Sequence, residues 1–140
     1  MYHCHVRFYL AGNPNRIFEI IKAMSPLESF THEFLESEKL EGELAAKADV
    51  ILADLRGQEA GEAVQTLIAN KAGETELILL AEKEQMELLE ASLPEVKDVW
   101  MVPMSEEETR FRFLRWQQTC KMSKDFWQTS HYLEATIDNV

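Results

Sequence analysis

Residues 48–57 read ADVILADLRG, and this stretch decides the fold. Its apolar residues run from position 50 to position 55, interrupted only by Asp54. A short apolar run without polar alternation is typical of a strand that helices cover on both faces, as in a parallel sheet. Ligand and chemical sites in such sheets lie at the carboxyl ends of the strands. The stretch therefore predicts a buried parallel strand with Asp54 at the edge of the sheet where sites occur.

The rest of the chain repeats this alternation of strand and helix. Runs rich in apolar and β-branched residues predict five strands, at 5–11, 29–35, 49–55, 76–81 and 98–103. Helical spacing between them predicts crossover helices at 14–24, 38–47, 59–71 and 83–91. Parallel strands joined in this way predict an α/β fold, an open five-stranded sheet in the order 2-1-3-4-5 with helices on both faces.

Local signals refine three of these elements. Asn13 is expected to cap the first helix and Pro14 to open it. Phe30, His32 and Phe34 alternate with polar residues, which places the second strand near an edge of the sheet. In the fourth helix the apolar positions are expected at Met86, Leu88 and Leu89.

The last predicted helix is longer than the sheet requires. Ser105 can cap it, Glu108 can return a capping-box hydrogen bond, and no Gly or Pro follows as far as Val140. We therefore predict a domain at residues 1–120 and a helical linker at residues 121–140 that leads into a following domain.

A loose seven-residue repeat runs along this last helix. Its positions predict a linking or dimerising helix, and hence a homodimer: Phe113, Trp116, Cys120, Trp127, Leu133 and Ile137. The alternative is that Phe113, Leu114 and Trp116 simply cover the sheet, which is the usual role of an apolar stripe.

Composition excludes several classes of function. The chain of 140 residues has a net charge of −11, which argues against nucleic acid as a partner, because phosphate backbones are bound by clustered Lys and Arg. No apolar run approaches the roughly 20 residues of a membrane span, and the first residues do not resemble a signal peptide. The two cysteines, Cys4 and Cys120, form no CxxC pair and suit a reducing compartment. We expect a cytoplasmic protein with no membrane contact.

The five strand–helix units and the motif ADVILADLRG together resemble the receiver domain of two-component response regulators. The resemblance covers about residues 6–120 and implies a flavodoxin-like, receiver-like fold. In that family the third strand ends in the aspartate that accepts a phosphoryl group, and this position falls on Asp54. The resemblance also implies a role in signal transduction.

The other family positions are substituted in this chain. The acidic pair that holds Mg²⁺ falls on Ala11 and Gly12, or on Gly12 and Asn13 after a slip of one residue. The hydroxyl residue of strand four falls on Ala81, and the lysine of strand five on Val102. The aromatic switch residue falls near Trp100, where a ring would equally suit core packing. Since phosphoryl transfer needs metal and cations to neutralise charge, these substitutions predict a degenerate site without metal, cofactor or catalysis.

The end of the chain carries a second resemblance. Residues 132–140, YLEATIDNV, are similar to the helical lead-in that precedes a PAS sensory domain in bacterial signalling proteins. This resemblance implies the amino-terminal module of a longer protein, which could end in a diguanylate cyclase or a histidine kinase.

Together these features predict a pseudo-receiver: a non-enzymatic regulatory domain that acts through protein contacts and dimerisation and passes its state through the last helix to a PAS or output domain. One alternative is an atypical phosphoaccepting receiver that uses Asp54, with the missing charge supplied by Asp49, Glu82 or Arg56. Asp49 lies five residues back along the same strand, about 16 Å from Asp54, so Glu82 is the better placed of the acids. A second alternative is a stand-alone dimerisation module.

The histidines and cysteines are the remaining candidates for a metal or redox site. In the motif HCH, His3 and His5 share one face of a strand while Cys4 lies on the other, so the three cannot bind one metal ion. His32 could join the histidines only if the second strand pairs alongside the first. We expect no metal site, and a packing role for Cys120 rather than a redox role despite its basic neighbours.

Overall fold

The sheet has five parallel strands. The structure, a computed structural model, describes residues 4–28 and 30–122, apart from the side chains of residues 121 and 122. The strands are β1 (Cys4–Ala11), β2 (Phe30–Ser37), β3 (Val50–Asp54), β4 (Glu76–Glu82) and β5 (Asp98–Val102). Their spatial order is β2-β1-β3-β4-β5, and every neighbouring pair is parallel. The predicted fold class and strand order are confirmed, as is the position of β2 at an edge.

Helices cover both faces of this sheet. They are α1 (Arg16–Ala23), α2 (Gly42–Lys47), α3 (Ala60–Asn70), a 3₁₀ helix (Lys83–Glu95) and α4 (Glu106–Met122). On one face, α1 and α4 bury a core that includes Phe8, Ile21 and Phe113. On the other face, α2, α3 and the 3₁₀ helix enclose a second core that includes Ile51 and Leu67. Strand β3 lies between the two cores and is buried along its whole length, as its unbroken apolar run predicts.

The fourth crossover differs from its prediction. It is a 3₁₀ helix that extends to Glu95, not an α-helix ending near residue 91. Leu89 is buried, Met86 is half-buried and Leu88 is exposed, so the apolar face is narrower than expected. A 3₁₀ helix has three residues per turn, so side chains three positions apart lie on the same side. Met86 and Leu89 therefore share a side, and Leu88 lies on the solvent side.

Helices α1 and α4 each begin at a polar side chain that caps them. The cap of α1 is Asn15, whose Oδ1 accepts a hydrogen bond from Phe18 N at 2.9 Å, so the prediction of Asn13 and Pro14 is wrong by two residues. At α4, Ser105 Oγ accepts from Glu108 N at 3.0 Å, as predicted.

Helix α4 is bound to the sheet by its aromatic stripe. Phe113, Trp116 and Cys120 are buried in the core beside Phe8. Trp116 also donates its indole N–H to Glu76 Oε1 at 2.8 Å. These three side chains are core residues of the domain, and the dimer seam predicted for them stays a prediction. The alternative that Phe113 and Trp116 cover the sheet is correct, although Leu114 is exposed.

Trp127, Leu133 and Ile137 of the predicted repeat, and the linker from residue 123 onward, lie outside the described residues. Among the helices of the described part, none is both long and apolar enough to cross a membrane.

Candidate functional site

Asp54 is the last residue of β3, in the middle of the sheet. Its neighbours are β1 on one side and β4 on the other, and it pairs with Leu80 in the register of β4. Its side chain is 8 % exposed. Because strand β3 is buried on both faces, the chain brings this carboxylate to the carboxyl end of the sheet with little contact with water.

The Asp54 carboxylate is surrounded by donors from its own chain. Oδ1 accepts hydrogen bonds from the backbone N–H and from Nε of Arg56, both at 3.0 Å. Oδ2 accepts from Arg56 Nη2 at 2.8 Å, from Asn15 Nδ2 at 3.1 Å, and more weakly from Arg56 Nε at 3.3 Å. An ionised carboxylate has about four lone-pair sites, so these donors occupy its acceptor capacity.

Arg56 provides the positive charge at this site. The β3–α3 connection turns after Leu55, whose carbonyl oxygen accepts from Gln58 N at 3.0 Å, and this turn lets the guanidinium reach the carboxylate two residues earlier. Hydrogen bonds with Asp54 raise the pKa of Arg56 above its usual range, and the charges of Asp54 and Glu82 act in the same direction. The guanidinium is a permanent cation, so it places a positive charge directly against the carboxylate.

Gly12 leaves no space for an acidic side chain at the end of β1. Its φ of +135° lies in the region that side chains rarely adopt, and a Cβ on it would be 3.0 Å from Asp54 Cβ. Gly12 N also donates to Ser37 O at 2.9 Å, which holds this backbone conformation. An aspartate or glutamate at position 12 would therefore require the β1–α1 connection to move.

The remaining substituted positions are apolar and buried. Ala11 and Ala81 are fully buried in the core beneath α2 and α3, while Val102 lies in the core beneath α1 and α4. None of the three can donate a hydrogen bond or carry charge toward Asp54. These residues do not fit Mg²⁺, which prefers one or two carboxylates plus waters, because Asp54 is already held by a guanidinium and no second acid stands at Ala11 or Gly12.

Trp100, at the position of the family's switch residue, is packed in the core. Its ring is buried beneath α4, and its indole N–H donates to Asp98 Oδ2 at 3.0 Å. This hydrogen bond joins the ring to the start of β5, at the opposite end of that strand from Val102.

The three residues that could supply the missing charge lie at different distances along the chain and sheet from Asp54. Asp49 lies at the other end of β3, where its Oδ2 accepts from Arg7 N at 2.8 Å. Glu82 ends β4 and acts on Arg56 only through its charge. Of the three residues considered, Arg56 alone contacts Asp54, and it does so as a cation bound to the carboxylate.

Of the described histidines and cysteines, none contacts Asp54. His5 contacts Thr31 Oγ1 at 2.8 Å and Glu33 Oε1 at 3.0 Å, on the β1–β2 pair. The ring of His32 packs among phenylalanines, with its centroid 4.9 Å from that of Phe8. Within residues 4–28 and 30–122, no three side chains of His, Cys, Asp or Glu come together as a metal site. Cys120 is buried and forms no disulfide with Cys4.

Asn15 was missed by sequence reasoning. It caps α1 with Oδ1, and its Nδ2 donates to Asp54 and to Asn13 O, so one amide joins the start of α1 to the end of β3. The available signal was the pair of asparagines in GNPN, either of which can cap a helix. The contact with Asp54, 39 positions away, has no local signal.

No family model and no curated protein sequence matches the chain. Solved structures do share its fold. The REC domain of AraT, a response regulator from Geobacillus stearothermophilus, aligns with a TM-score of 0.61 at 16 % identity, over 85 % of this chain and 98 % of that one. A signal receiver domain assigned to a LuxO repressor protein from Vibrio parahaemolyticus aligns with a TM-score of 0.55 at 14 % identity, over 86 % and 95 %.

An adenylate cyclase structure from Rhodopirellula baltica also aligns, with a TM-score of 0.57 at 16 % identity, over 90 % of this chain and 98 % of that one. Identities this low establish the architecture and leave the chemistry to be argued from the site. The chain has the flavodoxin-like fold of response regulator receiver domains, as the resemblance in its sequence implied.

Proposed function

We propose that this chain is a pseudo-receiver, a non-enzymatic signal-transduction domain that does not take up a phosphoryl group at Asp54. The observation that carries the proposal is the state of the Asp54 carboxylate, both of whose oxygens accept charge-assisted hydrogen bonds from Arg56. A nucleophilic oxygen needs a free lone pair, and the developing charge on a phosphoryl group needs metal and cations around it. Here the cation neutralises the nucleophile itself.

The experiment that tests this proposal is titration with beryllofluoride, a phosphoryl analogue, in the presence of Mg²⁺. Binding is followed by ¹⁹F NMR. We expect no bound signal from the wild-type chain. We also expect none from Arg56→Ala, because freeing Asp54 does not restore the acids missing at Ala11 and Gly12. A bound signal that requires Mg²⁺ and disappears in Asp54→Asn would support the alternative function, an atypical phosphoaccepting receiver.

The proposal includes signalling through protein contacts in the cytoplasm. A net charge of −11 disfavours nucleic acid as the partner. Cys4 and Cys120 are both buried and form no disulfide with each other, which suits a reducing compartment. The likeness to a structure named as an adenylate cyclase supports a link between this fold and output domains, and we propose that a PAS or other output domain, such as a diguanylate cyclase, follows the linker at residues 121–140.

Helix α4 is the proposed route of transmission. It is fixed to the sheet by Phe113 and Trp116 and to the α1–β2 connection by Gln117, whose Oε1 accepts from Leu27 N at 3.0 Å. A rearrangement of that connection would therefore shift the helix that leads into the linker. We propose that the chain forms a homodimer through the linker rather than through the buried stripe of α4.

A further inference from the structure

A groove lies between β5 and helix α4, and its lining shares no residue with Asp54 and its contacts. It has a volume of about 420 Å³, within the range of about 300–1,000 Å³ that small-molecule sites occupy. Strand β5 is an edge strand, and the groove follows the side of α4 that faces away from α1, over nearly three turns from Glu108 to Thr119.

The walls of the groove are aromatic and held in place. Trp100 and Trp116 line it, and each has its indole N–H already bound, to Asp98 Oδ2 at 3.0 Å and to Glu76 Oε1 at 2.8 Å. These hydrogen bonds fix the planes of both rings. Phe111 lies at the same groove and is 66 % exposed, so it offers a large ring that the domain itself does not cover.

Positive side chains outnumber negative ones in the groove, although the whole chain is strongly negative. Lys97, Arg112 and Arg115 line it together with Asp98 and Glu108. Glu108 accepts from Arg112 Nε at 3.0 Å, and Asp98 accepts from Trp100 and from Val99 N. Lys97 and Arg115 make no ion pair within the residues that the structure describes. Among the described residues, Lys97 and Arg115 thus stand without an ion pair beside the exposed ring of Phe111 and two almost wholly buried indoles, in a protein of net charge −11.

We propose that this groove is a binding site for a planar aromatic anion, a molecule of one or two fused rings that carries a sulfonate, carboxylate or phosphate group. Aromatic rings pack against flat ligands by stacking or edge contacts, and the guanidinium of Arg115 can pair with the anion or stack on the ring. Since both indole donors are occupied, the rings recognise shape and the cations recognise charge. This site is independent of the proposed function, because it shares no residue with Asp54 and its contacts.

The test is isothermal titration of the full chain with 1-naphthalenesulfonate and with its neutral counterpart, 1-naphthalenesulfonamide. We expect saturable one-to-one binding of the sulfonate, and binding of the sulfonamide that is weaker by about tenfold because the charge pairing is lost. Arg115→Gln and Phe111→Ala should each weaken sulfonate binding by about fivefold or more.

Matched controls lie on the same helix outside the groove. Arg110→Gln removes an equivalent charge and Leu114→Ala an exposed apolar side chain, and both should bind the sulfonate within about twofold of wild type. All four residues are exposed, so the variants should fold, and equal melting temperatures would verify this. Absence of saturable binding up to about 5 mM, equal binding of the sulfonamide, or equal losses in groove and control variants would each overturn the proposal.

Discussion

Replacing Arg56 with alanine should destabilise the domain by about 2 kcal/mol. Exposed ion pairs contribute up to about 1 kcal/mol, whereas removal of one partner from a fully buried pair costs about 3–5 kcal/mol. The Asp54–Arg56 pair lies between these limits, because the carboxylate is 8 % exposed and the guanidinium 33 % exposed. In Arg56→Ala, Asp54 keeps as donors the backbone N–H of residue 56 and Asn15 Nδ2. Water can reach part of the space that the guanidinium leaves.

Urea unfolding followed by circular dichroism measures this quantity. The variants are Arg56→Ala, Asp54→Ala and the double variant, from which a double-mutant cycle should give a coupling free energy of about 1.5 kcal/mol. The matched control is Arg16→Ala. Arg16 Nη2 lies 2.8 Å from Glu106 Oε1, the same separation as in the Asp54 pair, but the two side chains are 67 % and 40 % exposed. Its loss should cost clearly less than the loss of Arg56, because solvent screens an exposed ion pair.

A coupling below about 0.5 kcal/mol, or an Arg16→Ala cost as large as that of Arg56→Ala, would refute the reasoning. Either result would mean that the guanidinium spends most of its time in solvent and leaves Asp54 accessible. The assignment of Asp54 as an occupied carboxylate would then fail.

Three further outcomes are expected. Burial among Phe8, Phe34 and Phe113 lowers the pKa of His32 from 6.5 to about 4, so its stabilising neutral form is present above pH 6.5 and its contribution is lost as the pH falls toward 4. Between pH 6.5 and pH 4, the free energy of unfolding measured with urea should fall by about 2 kcal/mol more for wild type than for His32→Leu. This figure is smaller than the full pKa shift implies, because the ring keeps some contact with solvent. A difference between the two proteins that does not change with pH would contradict this. Gly12→Ala should cost about 2 kcal/mol in thermal unfolding, whereas Gly73→Ala, with open space around it, should cost under about 0.5 kcal/mol; equal costs would remove the argument that position 12 excludes a side chain. Sedimentation velocity of the full chain should show a dimer that a chain ending at Cys120 does not form, and a monomer in both would remove the proposed dimer.

The sheet could be predicted because its signals are local. Unbroken apolar runs mark the buried strands, alternation marks β2 as an edge strand, and connection rules leave few possible strand orders. The choice between an α-helix and a 3₁₀ helix at residues 83–95 could not be made from spacing, since apolar residues three and four apart suit both over so short a length.

The sequence predicts which family residues are missing from the site, but it does not predict which side chains contact Asp54. Ala11, Ala81 and Val102 could be recognised as substitutions by aligning strand ends, because strands have a regular rise per residue. The contact of Asn15 with Asp54 depends on how the β1–α1 connection turns. The return of Arg56 onto Asp54 depends on the turn at residues 55–58, which Gly57 marks in the sequence with its φ of +77°, but nothing in the sequence places the guanidinium on the carboxylate.

Incubation with acetyl phosphate and Mg²⁺, followed by intact-mass spectrometry, tests the central claim most directly. Wild type, Asp54→Asn and Arg56→Ala should all keep their unmodified masses, since the carboxylate is occupied in the first, absent in the second and without a metal site in the third. A stoichiometric phosphoryl adduct on wild type that is absent from Asp54→Asn would contradict the claim that this chain is a pseudo-receiver.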